Sequence, residues 1–373
     1  MILSPRHLCR RLHYWFGVAI ALPFLVMSVT GAILSFAHEL DPLLSPGLFQ
    51  PSGPERVISA QQVLDTARAD GGAPVMSLQL PDATAPVWVV AQGSGRGANM
   101  GVQQETFIDP QSGAILGQRD LATAPLRIAH RLHNAFLLDG GRQLVGIIAL
   151  LMAGMIVTGV IVWWPPAHGV SDSLLPCRGT KGTRWLLDWH TAAALWPFLL
   201  ILSITVTGIT MAFPQSSRAV LGQPGDGGMG RMGNHPVLAP TTPYPVGADQ
   251  ALDAARQALP GYDAVSLTPA GLDHPHWRIT LRPSQGLWLG RRQIMVDARS
   301  GEVQAETARD AVALFLAEQH GLHGGASFGL PGRVLICVAG LCQAFLCVSG
   351  LLVWARRQRR RASSLPVALP QEN

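Results

Sequence analysis

A chain of 373 residues with 48% hydrophobic and only 14% charged residues carries about half the charge expected of a soluble globular protein, which excludes an ordinary soluble domain. Its five cysteines are too few and too scattered for a disulfide-stapled secreted scaffold. The net charge of +5 comes from arginine clusters beside apolar runs, so it reports membrane orientation and not a nucleic-acid partner.

The first apolar run covers 12–36 and follows Arg6, Arg10 and Arg11. A bilayer needs about 20 apolar residues, so this run is long enough to span. It is too long for a cleavable signal peptide and lacks a small-x-small cleavage site. His13 opens it and Thr30-Gly31 lies near its end. A more polar segment follows, with a compact module predicted over 55–118. It starts with an amphipathic helix over Ser59–Ala69 and continues with strand-like pieces at Val75–Leu80, Val87–Ala91 and Glu105–Ile108. It ends on Asp109-Pro110-Gln111-Ser112-Gly113, where Asp and Gly supply turn chemistry. His130-Arg131-Leu132-His133 comes next, and Arg142 introduces a second span over 143–164 that closes on Gly159 and Trp163.

A short loop carries Arg178, Lys181 and Arg184 into a third span, 190–213, which has His190 at its start and Thr207-Gly208 near its end. Gly222–Pro236 is glycine-rich and reads as a linker, although Met229, Met232 and His235 offer soft donors for a copper ion. A second module is predicted over 247–306. It has a helix over Ala248–Leu259, strands at Ala264–Leu267, Trp277–Leu281 and Gln293–Val296, and the turn Asp297-Ala298-Arg299-Ser300-Gly301. His320-Gly321-Leu322-His323 and Arg333 lead into a fourth span, 333–354, which closes on Gly350 and Trp354 before Arg356, Arg357, Arg359, Arg360 and Arg361.

The same landmarks thus occur twice, in the same order. The chain reads as an internal duplication whose halves pack about a pseudo-twofold axis, with shared sites between them. The expected fold class is an α-helical membrane protein of four transmembrane helices with two small α+β domains outside. The three arginine clusters fall on one face, which is then cytoplasmic, as are both termini. Trp163, Trp164, Trp185, Trp189 and Trp354 gather near that face and read as an aromatic belt facing lipid. Cys9 and Cys177 fall on the cytoplasmic side, and Cys337, Cys342 and Cys347 read as packing residues of the fourth span.

Four histidines repeat at the span ends: His13 and His190 at the inner face, His133 and His323 at the outer. A pseudo-twofold sets each pair face to face, which is what a haem iron held by two imidazoles requires. His13 and Gly31 stand about 27 Å apart along one helix, so the two pairs cannot share one ring. The reading is therefore two b-type haems, one per pair, stacked across the bilayer. His130 and His320 also repeat, one turn before His133 and His323, and are alternative outer ligands or neighbours of the haem propionates. Arg142 and Arg333 can pair with propionates, since a guanidinium matches a carboxylate bidentately. Thr30-Gly31, Thr207-Gly208, Gly159 and Gly350 are small enough to let helices or a haem approach closely. His38 has no counterpart and reads as a surface residue.

The helix, the strand pair and the Asp-x-x-Ser-Gly turn resemble PepSY domains, and the spans resemble PepSY-associated transmembrane helices of bacterial iron-uptake proteins. The residues that carry the likeness are Leu12–Gly17 with Thr30-Gly31, Leu132-His133 with Gly141-Arg142, His190 with Thr207-Gly208, and Leu322-His323-Gly324 with Gly332-Arg333. The Leu-His motif of that family favours His133 and His323 over His130 and His320. The resemblance implies a location in the bacterial inner membrane with the large domains in the periplasm. It also implies an oxidoreductase whose substrate is a ferric siderophore or other ferric chelate. The Met-bearing linker could then touch a hydrophobic siderophore. The cytoplasmic loops are too short for a flavin or nicotinamide domain, so electrons would come from quinol or a separate cytoplasmic reductase. The alternative implied by the family is a haem-free binding or regulatory protein acting on a peptidase or envelope partner. A transporter is disfavoured, because the spans lack ionisable residues at mid-membrane and show no broken helix apart from what Pro23 and Pro197 could introduce.

Overall fold

The computed structural model describes residues 4–53, 58–71, 73–94, 101–164, 170–175, 179–223, 244–272, 274–284, 290–304 and 310–363. In chain order its elements are α1 (Pro5–Leu34), α2 (Ala37–Leu44), α3 (Ala60–Ala69), β1 (Val75–Gln79), β2 (Trp88–Ser94), β3 (Gly101–Ile108), β4 (Ile115–Asp120), α4 (Pro125–Ala135), α5 (Gly141–Trp163) and α6 (Val170–Ser173). They continue with α7 (Gly182–Leu195), α8 (Phe198–Ala212), α9 (Pro214–Val220), α10 (Ala248–Ala258), β5 (Tyr262–Thr268), β6 (His276–Pro283), β7 (Arg292–Asp297), β8 (Val303–Gln304), α11 (Ala311–Gly324) and α12 (Gly329–Ser363). The Met-bearing stretch 224–236 and Arg178 lie outside the described residues.

The chain divides into two units. The first comprises Met1–Ser35, Arg131–Phe213 and Arg333–Asn373. Its helices α1 and α5, and the helix Ala326–Arg360 that overlaps α12 and belongs to this unit from Arg333 on, are long and apolar enough to cross a membrane; α7 and α8 make a fourth span only if counted together. Those two meet at a 66° bend. Pro197 sits at the break, where its missing N–H and its ring disfavour a continuous helix, and the Trp196 indole donates to the Leu174 carbonyl at 2.9 Å. Of the two prolines that could break a span, Pro197 does so, and the third apolar run is a bent pair of helices. Pro23 lies inside α1 without ending it, with Ile20, Ala21, Phe24 and Met27 buried on both sides.

Close helix contacts in this unit are made by small residues. A Cβ on Gly17 would stand 3.1 Å from Met155 Cε, and one on Gly340 would stand 3.2 Å from the Ser28 carbonyl. Phe24, Met27 and Ile148 form a buried cluster lined by Phe136, Val145, Met152 and Cys347. Buried hydroxyls on the spans satisfy themselves by bonding back one turn, as Ser28 does to the Phe24 carbonyl at 2.8 Å and Thr205 to the Ile201 carbonyl at 2.8 Å.

The second unit comprises Phe36–His130 and Pro214–Gly332. Its strands form one antiparallel sheet of eight in the order β4-β3-β2-β1-β5-β6-β7-β8. The strands of the two sequence modules meet where β1 pairs β5, with Leu78 opposite Leu267 and Gln79 opposite Ser266. Alternation along β2 sends Trp88 and Val90 into the main core and Val89 into a smaller cluster with Phe49 and Phe107 on the other face. The main core includes Val63, Leu64, Leu252, Leu267, Ile279 and Val296. The two amphipathic helices cap one another. Asp249 accepts from the Ala60 amide at 2.8 Å and the Gln61 amide at 3.3 Å, and Gln61 accepts from the Ala248 amide at 3.1 Å.

Each Asp-x-x-Ser-Gly turn is built as its residue types require. Asp297 accepts from the amides of Arg299 and Ser300 at 2.8 and 2.9 Å, and Gly301 adopts φ 76°. Asp109 is buried and accepts from Ser52, Gln111 and Ser112, while Gly113 also has φ 76°. Burial raises the Asp109 pKa, but the Ser112 and Ser52 hydroxyls and two amides outweigh it and hold the carboxyl at about 2.

Candidate functional site: histidines docked on hydroxyl-glycine steps

Three of the four repeated span-end histidines lie in the first unit, and each is held by the same device. His13 Nδ1 lies 3.2 Å from Thr158 Oγ1. A Cβ on the next residue, Gly159, would stand 3.1 Å from the His13 Cε1. His190 Nδ1 lies 2.8 Å from Ser349 Oγ, with Gly350 beneath its ring at 3.9 Å by the same measure. His133 Nδ1 lies 2.9 Å from the Met27 carbonyl and 3.2 Å from Thr30 Oγ1, and a Cβ on Gly31 would stand 2.9 Å from its Cε1. In each case a hydroxyl residue meets the ring nitrogen and a glycine follows it; at His13 and His133 that glycine also makes room for the ring.

The hydrogen-bond network also assigns the tautomer. Thr158 gives its own proton to the Gly154 carbonyl at 2.8 Å, so its oxygen accepts from His13. Ser349 gives its proton to the Leu346 carbonyl at 3.1 Å and accepts from His190. His133 faces a backbone carbonyl, which can only accept. All three imidazoles therefore carry a proton on Nδ1, which leaves Nε2 as the donor atom for a metal when the ring is neutral. This second-shell arrangement orients histidines that serve as metal ligands. His190 and His13 are near enough to interact electrostatically.

The remaining candidates fall elsewhere. His323 ends α11 in the second unit, as does His320. His130, on α4, belongs to the same unit and approaches His320. Burial chiefly, then the charges of Arg127 and His320, lower its proton affinity. His38 pairs with Asp82 at 3.1 Å. Arg142 donates to the Met211 carbonyl, and Arg333 lies on α12. Among the described residues no cluster of three or more His, Cys, Asp or Glu could hold a bare metal ion.

Two supports escaped sequence reasoning. Thr158 and Ser349 complete hydroxyl-glycine steps of which only the glycines had been singled out; the likeness to Thr30-Gly31 was the available signal. Glu318 is the other. It is buried on α11, two residues before His320, and accepts from the amides of Gly290 and Arg291 at 3.0 and 2.9 Å. On the first half, Arg127 at the start of α4 pairs with buried Glu105, which also holds Arg119 at 2.6 Å. Within the second unit, carboxylates thus tie α11 and the start of α4 to strands and loops of the sheet.

Apolar spanning helices, a separate antiparallel sheet and ordered histidines on the spans define a helical membrane protein. The chain belongs to the PepSY-associated TM region family, whose model matches residues 10–357. No curated protein matches it.

Proposed function

We propose that the protein is a di-haem b-type cytochrome of the bacterial inner membrane that reduces a ferric siderophore or other ferric chelate at its periplasmic face, releasing Fe(II) for uptake. The observation that carries this reading is the threefold histidine dock. Neutral imidazoles with Nδ1 engaged and the lone pair on Nε2 fit an axial haem ligand in donor type and tautomer. His13 and His190 would hold one haem between them. His133 with His323 is assigned to the other from the sequence duplication and the family's Leu-His motif, with His130 and His320 as alternatives. Bound haem supplies one-electron redox chemistry within an apolar bundle. The chain's own residues orient the ligands through Thr158, Ser349 and Thr30, and exclude water through the apolar spans. No side-chain acid or base is needed. Electrons would come from quinol or a separate cytoplasmic reductase.

The test is a purified sample with its visible spectrum and haem content. About two haems per chain should be found, falling to about one in His13→Ala or His133→Ala, because losing one axial ligand weakens one site. Mixing dithionite-reduced protein with ferric siderophores under anaerobic conditions should reoxidise the haem as ferrozine captures Fe(II). A colourless sample defeats the cytochrome and favours a haem-free regulator. A coloured one that ignores every ferric chelate defeats the iron substrate alone.

A further inference from the structure

Trp163 and Trp354 each stand one helical turn beyond a dock glycine, Gly159 and Gly350. An aromatic belt would turn their indole N–H groups to headgroups and water. Trp164, Trp185 and Trp189 are 56%, 46% and 39% exposed, as belt residues are. Trp163 and Trp354 differ: the Nε1 of each is buried and has no hydrogen-bond partner. Indole nitrogen is only a donor, and native proteins seldom leave a buried donor unmet. The two unmet donors stand at corresponding positions of the two halves, each one turn beyond a dock, where one group with two accepting ends would satisfy both. Side chains on a helix lean toward its N-terminus, so both indoles lean back toward the level of the His13 and His190 docks.

The surrounding charge says what the acceptor is. The Arg6 guanidinium donates to the Val162 carbonyl at 3.2 Å, which brings a cation beside Trp163. Arg356 and Arg357 follow Trp354 after one intervening alanine. Beside such cations an anionic acceptor such as a carboxylate is favoured over a neutral one. We propose that Trp163 and Trp354 anchor the two propionate carboxylates of the haem held by His13 and His190, each indole N–H donating to one carboxylate. This rests on the proposed function for the presence of that haem. It makes the two tryptophans part of the binding site and not of the lipid belt.

Trp163→Phe and Trp354→Phe keep the aromatic bulk and remove the N–H. Haem loss from the holoprotein to an excess of a scavenging apoglobin should show two phases, and the phase missing in His13→Ala identifies the haem concerned. That phase should run about tenfold faster in either single variant, as expected for losing one hydrogen bond to a charged group, and faster again in the double variant, while the other phase holds. An unchanged double variant that still carries two haems overturns the inference and leaves the cytochrome standing. Should the variants fail to fold, the wild type still decides. Its propionate bending bands in resonance Raman should shift in heavy water if exchangeable N–H groups hold them, and the absence of any shift overturns the inference. A wild type that purifies without haem overturns the proposed function and this inference together.

Discussion

A single methyl group probes each histidine dock. At Gly31 it would stand 2.9 Å from the His133 ring and at Gly159 3.1 Å from the His13 ring, but at Gly350 it would stand at an ordinary 3.9 Å from the His190 ring. Gly31→Ala and Gly159→Ala should therefore each displace a ring and reduce haem content toward one per chain, whereas Gly350→Ala should keep both. Equal haem in all three would mean that the glycines do not set the ring positions. Asp109 makes a prediction about pH. Its carboxyl titrates near 2 when folded, against an ordinary 3.8. A depressed pKa contributes stability that is full above 3.8 and lost as pH falls through about 2. Melting temperature should drop over that acid window, and Asp109→Asn should melt lower at neutral pH and show a shallower acid drop.

At the scale of elements, the α4–α5 turn carries strain. Phe136 and Leu137 adopt φ 50° and 60°, a region that suits glycine. Phe136 is repaid by packing against the Phe24, Met27 and Ile148 cluster, which also sets the end of the helix that carries His133. Leu137 is 46% exposed and gains little. Leu137→Val should destabilise by roughly 1–2 kcal/mol, because a β-branched residue tolerates this region least, while Leu137→Gly should not. Thermal melts in detergent compare the two, and a valine variant as stable as wild type would contradict the strain. Such features mark what was legible in the sequence. Long apolar runs announce α1, α5 and α12 by composition alone. The bend at Pro197 was only half readable: Pro23 and Pro197 offer the same break in similar apolar runs, yet α1 continues through Pro23 and α7 parts from α8 at Pro197. The docks were half legible: the glycines stood out, but the hydroxyls of Thr158 and Ser349 looked like ordinary span residues until a ring nitrogen was found on each.

For the whole molecule, the proposed orientation puts both Asp-x-x-Ser-Gly turns in the periplasm. In a background without native cysteines, Ser112→Cys and Ser300→Cys should both react with impermeant thiol reagents added to intact spheroplasts. Protection of either one reverses the topology. The eight-stranded sheet has a different consequence. Its two four-stranded parts are joined by a short antiparallel seam, with Leu78 opposite Leu267 and Gln79 opposite Ser266. A chain severed between Val170 and Lys181 would leave one fragment ending beyond α5 with the β1 edge bare, and another beginning near α7 with the β5 edge bare. Each bare edge is a template that seeks a partner strand, and the native partner lies on the other fragment. The protein should therefore work as a natural split pair: either fragment alone would be prey for proteolysis, and co-expression of the two would restore a folded protein without any peptide bond between them.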